Sequence, residues 1–237
     1  MSLGCAAASA HADSVSDYIH FEAGIGGSAY QRSPQGVWWQ NGFQHELNLT
    51  APAFRAGLAG NVWQHGAFGI DWHADYVWLG TVHTDAAIPT PKTNTTSGHW
   101  SGPDFVGYNA ANPCSGPCTN MSEFHGSGHD MGVMFTLEPH YDLYGWRLGV
   151  EAGPYVHRVT WSIDIANWYD SAAGTFHSLH VEHNPTWQVS WTVGASISRG
   201  PLSLRYNYFR NGSPLTQSNP VPPGWSGAHV LMATYRF

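Results

Sequence analysis

The chain has 237 residues, a formal net charge of −7 at pH 7 and a single lysine, Lys92. Charged residues make up 11% of it and aromatic residues 14%, whereas a soluble domain carries about 25% charged residues. The sequence contains no run of about 20 apolar residues, which excludes a transmembrane helix. It also contains no basic patch, which argues against a nucleic-acid partner.

The first twelve residues have the small, apolar character of the end of an export signal. They include A-x-A patterns at residues 8–10 and 10–12, although a positively charged start is missing. We expect residues 1–12 to be the remnant of an export signal peptide and residues 13–237 to form one barrel domain. A structureless alanine-rich tail is the alternative for residues 1–12.

Apolar and polar side chains alternate along eight segments, as they do in strands with one apolar face. The segments cover roughly residues 17–30, 46–62, 68–83, 129–141, 145–163, 186–198, 201–210 and 227–237. The third is the clearest, because Trp72 and Tyr76 alternate with Asp71 and Asp75. Three prolines fall inside these segments, and each predicts a bulge or a misplaced boundary.

The connections between the segments alternate between short and long. Residues 63–67, 142–144 and 199–200 are tight turns, whereas residues 31–45, 84–128, 164–185 and 211–226 are long loops. This rhythm is typical of a membrane barrel with short periplasmic turns and long extracellular loops. The sequence therefore predicts an all-β fold, an eight-stranded antiparallel up-and-down transmembrane β-barrel. A secreted all-β sandwich is the alternative, since its strands also alternate.

The alternating segments, the loop rhythm and the ending Tyr235-Arg236-Phe237 resemble the small OmpA/OmpX-type outer-membrane barrels of bacteria, over roughly residues 17–237. The resemblance implies a location in the bacterial outer membrane and contact with outer-membrane lipid and lipopolysaccharide. It does not imply an activity, because such barrels serve as anchors, adhesins, resistance factors or enzymes.

On this register nine charged side chains point into the barrel. They are Glu22, Asp71, Asp75, Glu138 and Glu151, against Arg55, Arg147, Arg205 and Arg236. The interior of an eight-stranded barrel is only wide enough to be filled by side chains, and buried charges must be paired. The sequence therefore predicts a charge-paired polar plug. A proton or ion path through Asp71, His73 and Asp75 is the alternative.

A second, weaker resemblance lies in residues 205–214. Lipid A deacylases of the PagL type carry a His-x-Ser-Asn motif in the corresponding strand end. Here Tyr208 replaces the histidine, Arg210 replaces the serine, and only Asn211 matches. A nucleophile needs a base within hydrogen-bond reach, so the resemblance implies at most an outer-leaflet lipid A acyl hydrolase that lacks the usual dyad. No catalytic residue is assigned.

Two cysteines, Cys114 and Cys118, lie in a C-x-x-x-C pattern among proline, glycine and serine. In an exported protein this pattern predicts a disulfide that closes a loop tip.

Histidines and acids crowd two loop regions, and such side chains can bind zinc or copper. The first group is His177, His180, Glu182 and His183; the second is His125, His129 and Asp130. On a strand the first group would point to both faces, so only a turn would bring its members together. Exposed polar histidines are the alternative. No metal ligand set is assigned and no cofactor is implied.

The longest loop carries Trp100, Phe105 and Tyr108 among small polar residues, which resembles a recognition surface. The predicted function is therefore a non-enzymatic outer-membrane barrel with a plugged lumen. Its extracellular loops would meet the surroundings, a host surface or a phage. A lipid A-modifying enzyme is the alternative.

Overall fold

The computed structural model describes residues 19–32, 45–94, 114, 117–183, 186–211 and 225–237. Within them the chain forms ten strands: β1 (Ile19–Arg32), β2 (His45–Asn48), β3 (Thr50–His65), β4 (Phe68–Pro89), β5 (Met121–Leu143), β6 (Trp146–Asp170), β7 (Thr175–His183), β8 (Gln188–Arg199), β9 (Leu202–Arg210) and β10 (Trp225–Arg236). In this part of the chain there is no helix long and apolar enough to cross a membrane. The predicted signal remnant and the aromatic residues Trp100, Phe105 and Tyr108 lie outside the described residues.

Eight of these strands close into an antiparallel barrel, which confirms the predicted fold. The ring order is β4-β3-β1-β10-β9-β8-β6-β5, and β5 pairs back to β4. The first and last strands of the ring, β1 and β10, pair directly, with Ile25 opposite Ala233. Three tight turns lie together at one end, here called the lower end. In one of them Tyr144 and Gly145 have φ angles of 50° and 80°, as a two-residue type I′ hairpin requires.

The predicted boundaries at the upper end are wrong. The sequence predicts that the third strand ends at residue 83, that the fourth begins at 129 and that the fifth ends at 163, with a loop at 164–185. In the structure β4 continues to Pro89, β5 begins at Met121 and β6 continues to Asp170. The strand β7 occupies much of the predicted loop. β2 pairs with β4 and β7 pairs with β6 above the barrel. We call this five-stranded extension, residues 45–48, 81–89, 121–130, 157–170 and 175–183, the upper sheet.

The physical reason for the misplaced limits is that the outward face changes from apolar to polar. A bulge between Trp78 and Thr81 shifts the side-chain alternation of β4. Gly80 adopts a φ of 82° there, and a Cβ on it would clash with the carbonyl oxygen of Pro52. Above the bulge, His83 and Asp85 point outward.

The three prolines lie within strands, at places where a ladder is missing on one side. β3 pairs with β4 only from Phe54 onward, just past Pro52. The β5–β6 ladder is interrupted at Pro139 and again at Pro154. On the other side of each proline the pairing stays in register, between β5 and β4 and between β6 and β8. At Pro139 and Pro154 the missing donor is accommodated without a change of register, so the expectation of a bulge or a misplaced boundary is wrong there. Beside Pro52, in contrast, the neighbouring strand β4 does have a bulge, between Trp78 and Thr81.

The interior has two layers, of which the sequence predicted only one. The lower layer is polar and charged. The upper layer is apolar and consists mainly of Tyr30, Val77, Leu79, Val82, Met134, Tyr155, Val159, Phe209, Trp225, Val230 and Met232. Trp225 turns inward because the β1–β10 ladder contains a bulge between Gln31 and Arg32. The expectation of a lumen that is polar throughout is therefore wrong for its upper part.

Candidate functional site in the barrel lumen

Strand alternation brings seven ionisable side chains into the lower lumen. We call them the lumen cluster: Glu22 of β1, Arg55 of β3, His73 and Asp75 of β4, Glu138 of β5, Glu151 of β6 and Arg205 of β9. Each of these residues is at most 3% exposed. They come from six strands of the ring, so the cluster crosses the whole lumen.

Arg55 pairs with acids on both neighbouring strands. Its Nη2 atom lies 2.6 Å from Glu22 Oε1 and 2.6 Å from Asp75 Oδ2. Its Nη1 atom lies 3.7 Å from Glu151 Oε1, across the lumen. One guanidinium thus faces three carboxylates. It donates charge-assisted hydrogen bonds to Glu22 and Asp75 and lies within ion-pair distance of Glu151.

Arg205 forms the second half of the cluster. Its Nη1 atom lies 2.5 Å from Glu138 Oε2 and 3.1 Å from Glu151 Oε2. Neutral side chains complete the shell: Asn207 donates to Glu151 and Ser196 donates to Glu138. Asn207 and Ser196 are not among the predicted interior residues, although the side-chain alternation of β9 and β8 points both of them inward.

His73 joins the two halves. Its Nδ1 atom lies 3.0 Å from Glu22 Oε1 and its Nε2 atom 2.8 Å from Glu138 Oε2. A neutral imidazole has one donor only. The Nδ1 contact with Glu22 is a hydrogen bond, whereas Nε2 lies within ion-pair distance of Glu138 without hydrogen-bond geometry.

The remaining predicted interior charges meet at the lower mouth. Asp71 Oδ2 lies 3.0 Å from Arg147 Nη1 and 3.5 Å from Arg236 Nη1. Arg147 also donates from Nε to Asp142 at 2.8 Å. This hydrogen bond lowers the pKa of Asp142, which lies beside the tight turn. A cavity of about 410 Å³ opens here between the arginines and the lumen cluster. The structure therefore brings all nine predicted charges into two adjoining groups.

Two sets of three possible metal donors occur in the cluster, Glu22 with His73 and Asp75, and His73 with Glu138 and Glu151. Arg55 and Arg205 already pair with these carboxylates. A guanidinium thus occupies the place that a cation would take.

The two predicted histidine groups separate in the structure. Asp130 points into the lumen, where it accepts from Tyr155 and His157 at 3.2 and 2.9 Å. His125 and His129 lie on the other face of β5, because an even and an odd residue of one strand face opposite ways. In the other group, His177 and His180 lie on β7 opposite Trp168 and Asp164, and do not converge. The side chain of His183 is outside the described residues.

Cys114 and Cys118 form a disulfide with their Cα atoms 5.2 Å apart.

Of the deacylase-like segment, residues 205–210 lie on β9, and near them the outer wall of the barrel carries a cavity of about 530 Å³. His229 Nδ1 lies 2.7 Å from the Tyr206 hydroxyl at its edge. The serine among the residues that line it, Ser28, donates its hydroxyl to the carbonyl oxygen of Leu79. The described lining residues therefore bring no serine hydroxyl within reach of His229.

Comparison with known proteins finds no family model and no curated protein that matches this chain. Among solved structures, the chain is similar to Ail, the attachment invasion locus protein of Yersinia pestis, with 10% identity and a TM-score of 0.39 over 93% of this chain and 99% of that one. A second structure of Ail, in complex with the heparin analogue sucrose octasulfate, gives 12% identity and a TM-score of 0.38 over 92% and 97% of the two chains. At these values the similarity assigns neither a family nor a function.

Proposed function

We propose that this protein is an integral barrel of the bacterial outer membrane whose lumen is closed to ions and whose upper sheet and loops meet partners at the cell surface. The observation that supports this proposal most directly is that apolar side chains face outward and charged side chains are buried inside. Ile25 and Val189 are 75% and 72% exposed on the outer wall, whereas Asp75 and Glu151 are 0% exposed inside. A soluble protein hides the first kind of residue and exposes the second.

The height of the apolar wall matches a bilayer. On β4 the outward side chains are apolar from Phe68, through Trp72, to Trp78, about eleven residues, and a membrane strand needs about 9–11. Aromatic rings lie at both edges, as at membrane interfaces. Phe68 and Tyr141 pack together at the lower edge, and Trp191 and Tyr208 pack together towards the upper one. We therefore propose that outer-membrane lipid and lipopolysaccharide surround the barrel. Residues 1–12 are proposed to be the end of the signal that directs its export.

Two layers close the lumen in this proposal. The lumen cluster spans the lower part with paired charges, and the apolar layer above it contains Leu79, Met134 and Tyr155, each 0% exposed. An ion would have to break the pairs and then enter an apolar layer without a hydration shell. We expect the refolded barrel to give no steady conductance in a planar bilayer. Regular, long-lived openings would contradict a closed lumen and support the alternative ion path.

The surface role follows from the shape of the upper end. The upper sheet carries the chain beyond the apolar wall, and its outward face exposes polar side chains such as His125 and Asp164. To test this role, cells with the full chain are compared with cells in which residues 166–182 are replaced by a two-residue turn. We expect adhesion to host cells or adsorption of phage to fall, while the barrel remains in the outer membrane. Full retention of both in the shortened variant would contradict a role for the β6–β7 hairpin.

A lipid A-modifying enzyme remains the second candidate because the outer-wall cavity, with His229 and Tyr206 at its edge, lies near the upper aromatic residues. Mass spectrometry of lipid A from cells with and without the protein tests it. A lost acyl chain supports the enzyme, and unchanged lipid A contradicts it.

A further inference from the structure

One row of side chains crosses four strands of the upper sheet. Asp85 of β4 is opposite His125 of β5, His125 is opposite Asp164 of β6, and Asp164 is opposite His180 of β7. Residues directly opposite each other in antiparallel strands share a face of the sheet. The four side chains therefore form one alternating row of acids and histidines on the outward face.

In each of two neighbouring pairs of the row, the histidine directs its Nδ1 atom at the aspartate. His125 Nδ1 lies 2.6 Å from Asp85 Oδ1, and His180 Nδ1 lies 2.6 Å from Asp164 Oδ1. The two nitrogens of an imidazole point to different sides of the ring. Because Nδ1 of His125 contacts Asp85, Nε2 is the ring nitrogen of His125 that is left to bind a ligand. His180 directs Nδ1 at Asp164 from the side of β7.

We propose that this row binds one divalent transition-metal ion of the zinc or copper class, with His125 Nε2, Asp164 and His180 Nδ1 as ligands. Two imidazoles and a carboxylate are a common ligand set for such ions, with water in the remaining positions. Asp85 serves as the outer partner that orients His125, because a metal-binding histidine usually donates its other ring N–H to a carboxylate. The site does not depend on where the barrel resides.

Spacing and charge both permit the site. Opposite Cα atoms lie roughly 4.5–5.5 Å apart, so His125 and His180 are separated by roughly 10 Å with Asp164 between them. Two imidazoles that lean towards Asp164 can close on one ion. Glu123 lies on the same face, two residues from His125 on β5, and the chain carries a net charge of −7, which favours a cation near this surface.

The ion must rearrange the side chains: His125 must approach Asp164, and the 2.6 Å hydrogen bond between His180 Nδ1 and Asp164 Oδ1 must open so that both atoms can face the ion. Groups of three donors already within 4.8 Å of one another occur, among the described residues, only in the lumen cluster. The side chains of the row are between 55% and 70% exposed, so they are free to rotate, but ordering them costs entropy. We therefore expect micromolar rather than nanomolar affinity.

The test is calorimetric titration of the refolded full chain in detergent at pH 7 with zinc chloride and, separately, copper sulfate. We expect one ion per chain. His125→Ala, Asp164→Asn and His180→Ala should each weaken binding at least tenfold, and Asp85→Asn should weaken it less. His177→Ala is the matched control, because it removes a histidine from β7 outside the row, and it should leave affinity unchanged.

Circular dichroism of each variant shows whether the barrel is retained, which separates loss of the site from loss of the fold. Absence of binding by the parent chain would overturn the proposal. Unchanged affinity in the His125→Ala/His180→Ala double variant would also overturn it, because binding would then arise elsewhere on the chain.

Discussion

His73 Nε2 lies 2.8 Å from Glu138 Oε2, and this contact joins the two arginine-centred halves of the lumen cluster across the barrel. The other ring nitrogen of His73 contacts Glu22, which pairs with Arg55. Glu151 also bridges the halves, since it lies 3.7 Å from Arg55 and 3.1 Å from Arg205, so His73 and Glu151 together connect six strands of the ring. A buried network of this kind stabilises the fold only while every member is paired.

The first prediction concerns Arg205, which pairs with Glu138 and Glu151. Arg205→Ala leaves these acids without their nearest guanidinium, and removing one partner of a buried pair costs about 3–5 kcal/mol. We expect the free energy of unfolding in urea, followed by tryptophan fluorescence, to fall by that amount. Arg210→Ala on the same strand removes an exposed arginine that stacks over Trp191, so it should cost about 1 kcal/mol or less. Equal losses in the two variants would contradict a stabilising cluster.

The second prediction concerns the apolar layer above the cluster. Leu79 is 0% exposed, and Leu79→Ala should lower the free energy of unfolding by about 2–5 kcal/mol, because it leaves a cavity in a packed interior. Leu137→Ala is the control on the outer wall, where Leu137 is 54% exposed. It should cost clearly less, because lipid fills the space. The urea midpoint in lipid vesicles measures both, and a larger loss for Leu137→Ala would contradict the two-layer interior.

The third prediction concerns charge on the wall. Ala74 points outward near the middle of the apolar part of β4. Ala74→Arg should destabilise the barrel in vesicles by about 2–4 kcal/mol, the cost of an arginine facing lipid near the bilayer midplane. Tyr144 is 94% exposed in a lower turn, and Tyr144→Arg should change stability little, since that site meets water. If Ala74→Arg is as harmless as Tyr144→Arg, water rather than lipid surrounds the wall.

Much of the lumen cluster could be predicted from the sequence, because strand alternation is a local property. Glu22, Arg55 and Asp75 were each assigned inward by their own neighbours in the chain, and the ring then brings them together. The apolar layer was missed because Val77 and Leu79 continue the inward face of β4 beyond Asp75. Apolar residues on both faces remove the contrast on which the pattern depends.

The upper sheet could not be predicted for a different reason. On β4 the outward face carries the polar residues His83 and Asp85 above the bulge. On β6 the apolar side chains of Trp161 and Ile163 face inward at the same level. The polarity of the two faces thus reverses along a single strand, and the sequence contains no feature that marks where the surroundings change. The row from Asp85 to His180 depends on cross-strand pairs, which residue spacing alone does not show.

The central claim is that hydrocarbon surrounds the outer wall. It is tested most directly by nitroxide labels on single cysteines at Leu231, Val150 and Tyr144, with Cys5, Cys114 and Cys118 replaced by serine and the chain refolded in vesicles. We predict that oxygen relaxes the labels at Leu231 and Val150 while an aqueous nickel reagent does not, and that the reverse holds at Tyr144. Free access of the nickel reagent to Leu231 and Val150 would contradict the membrane barrel.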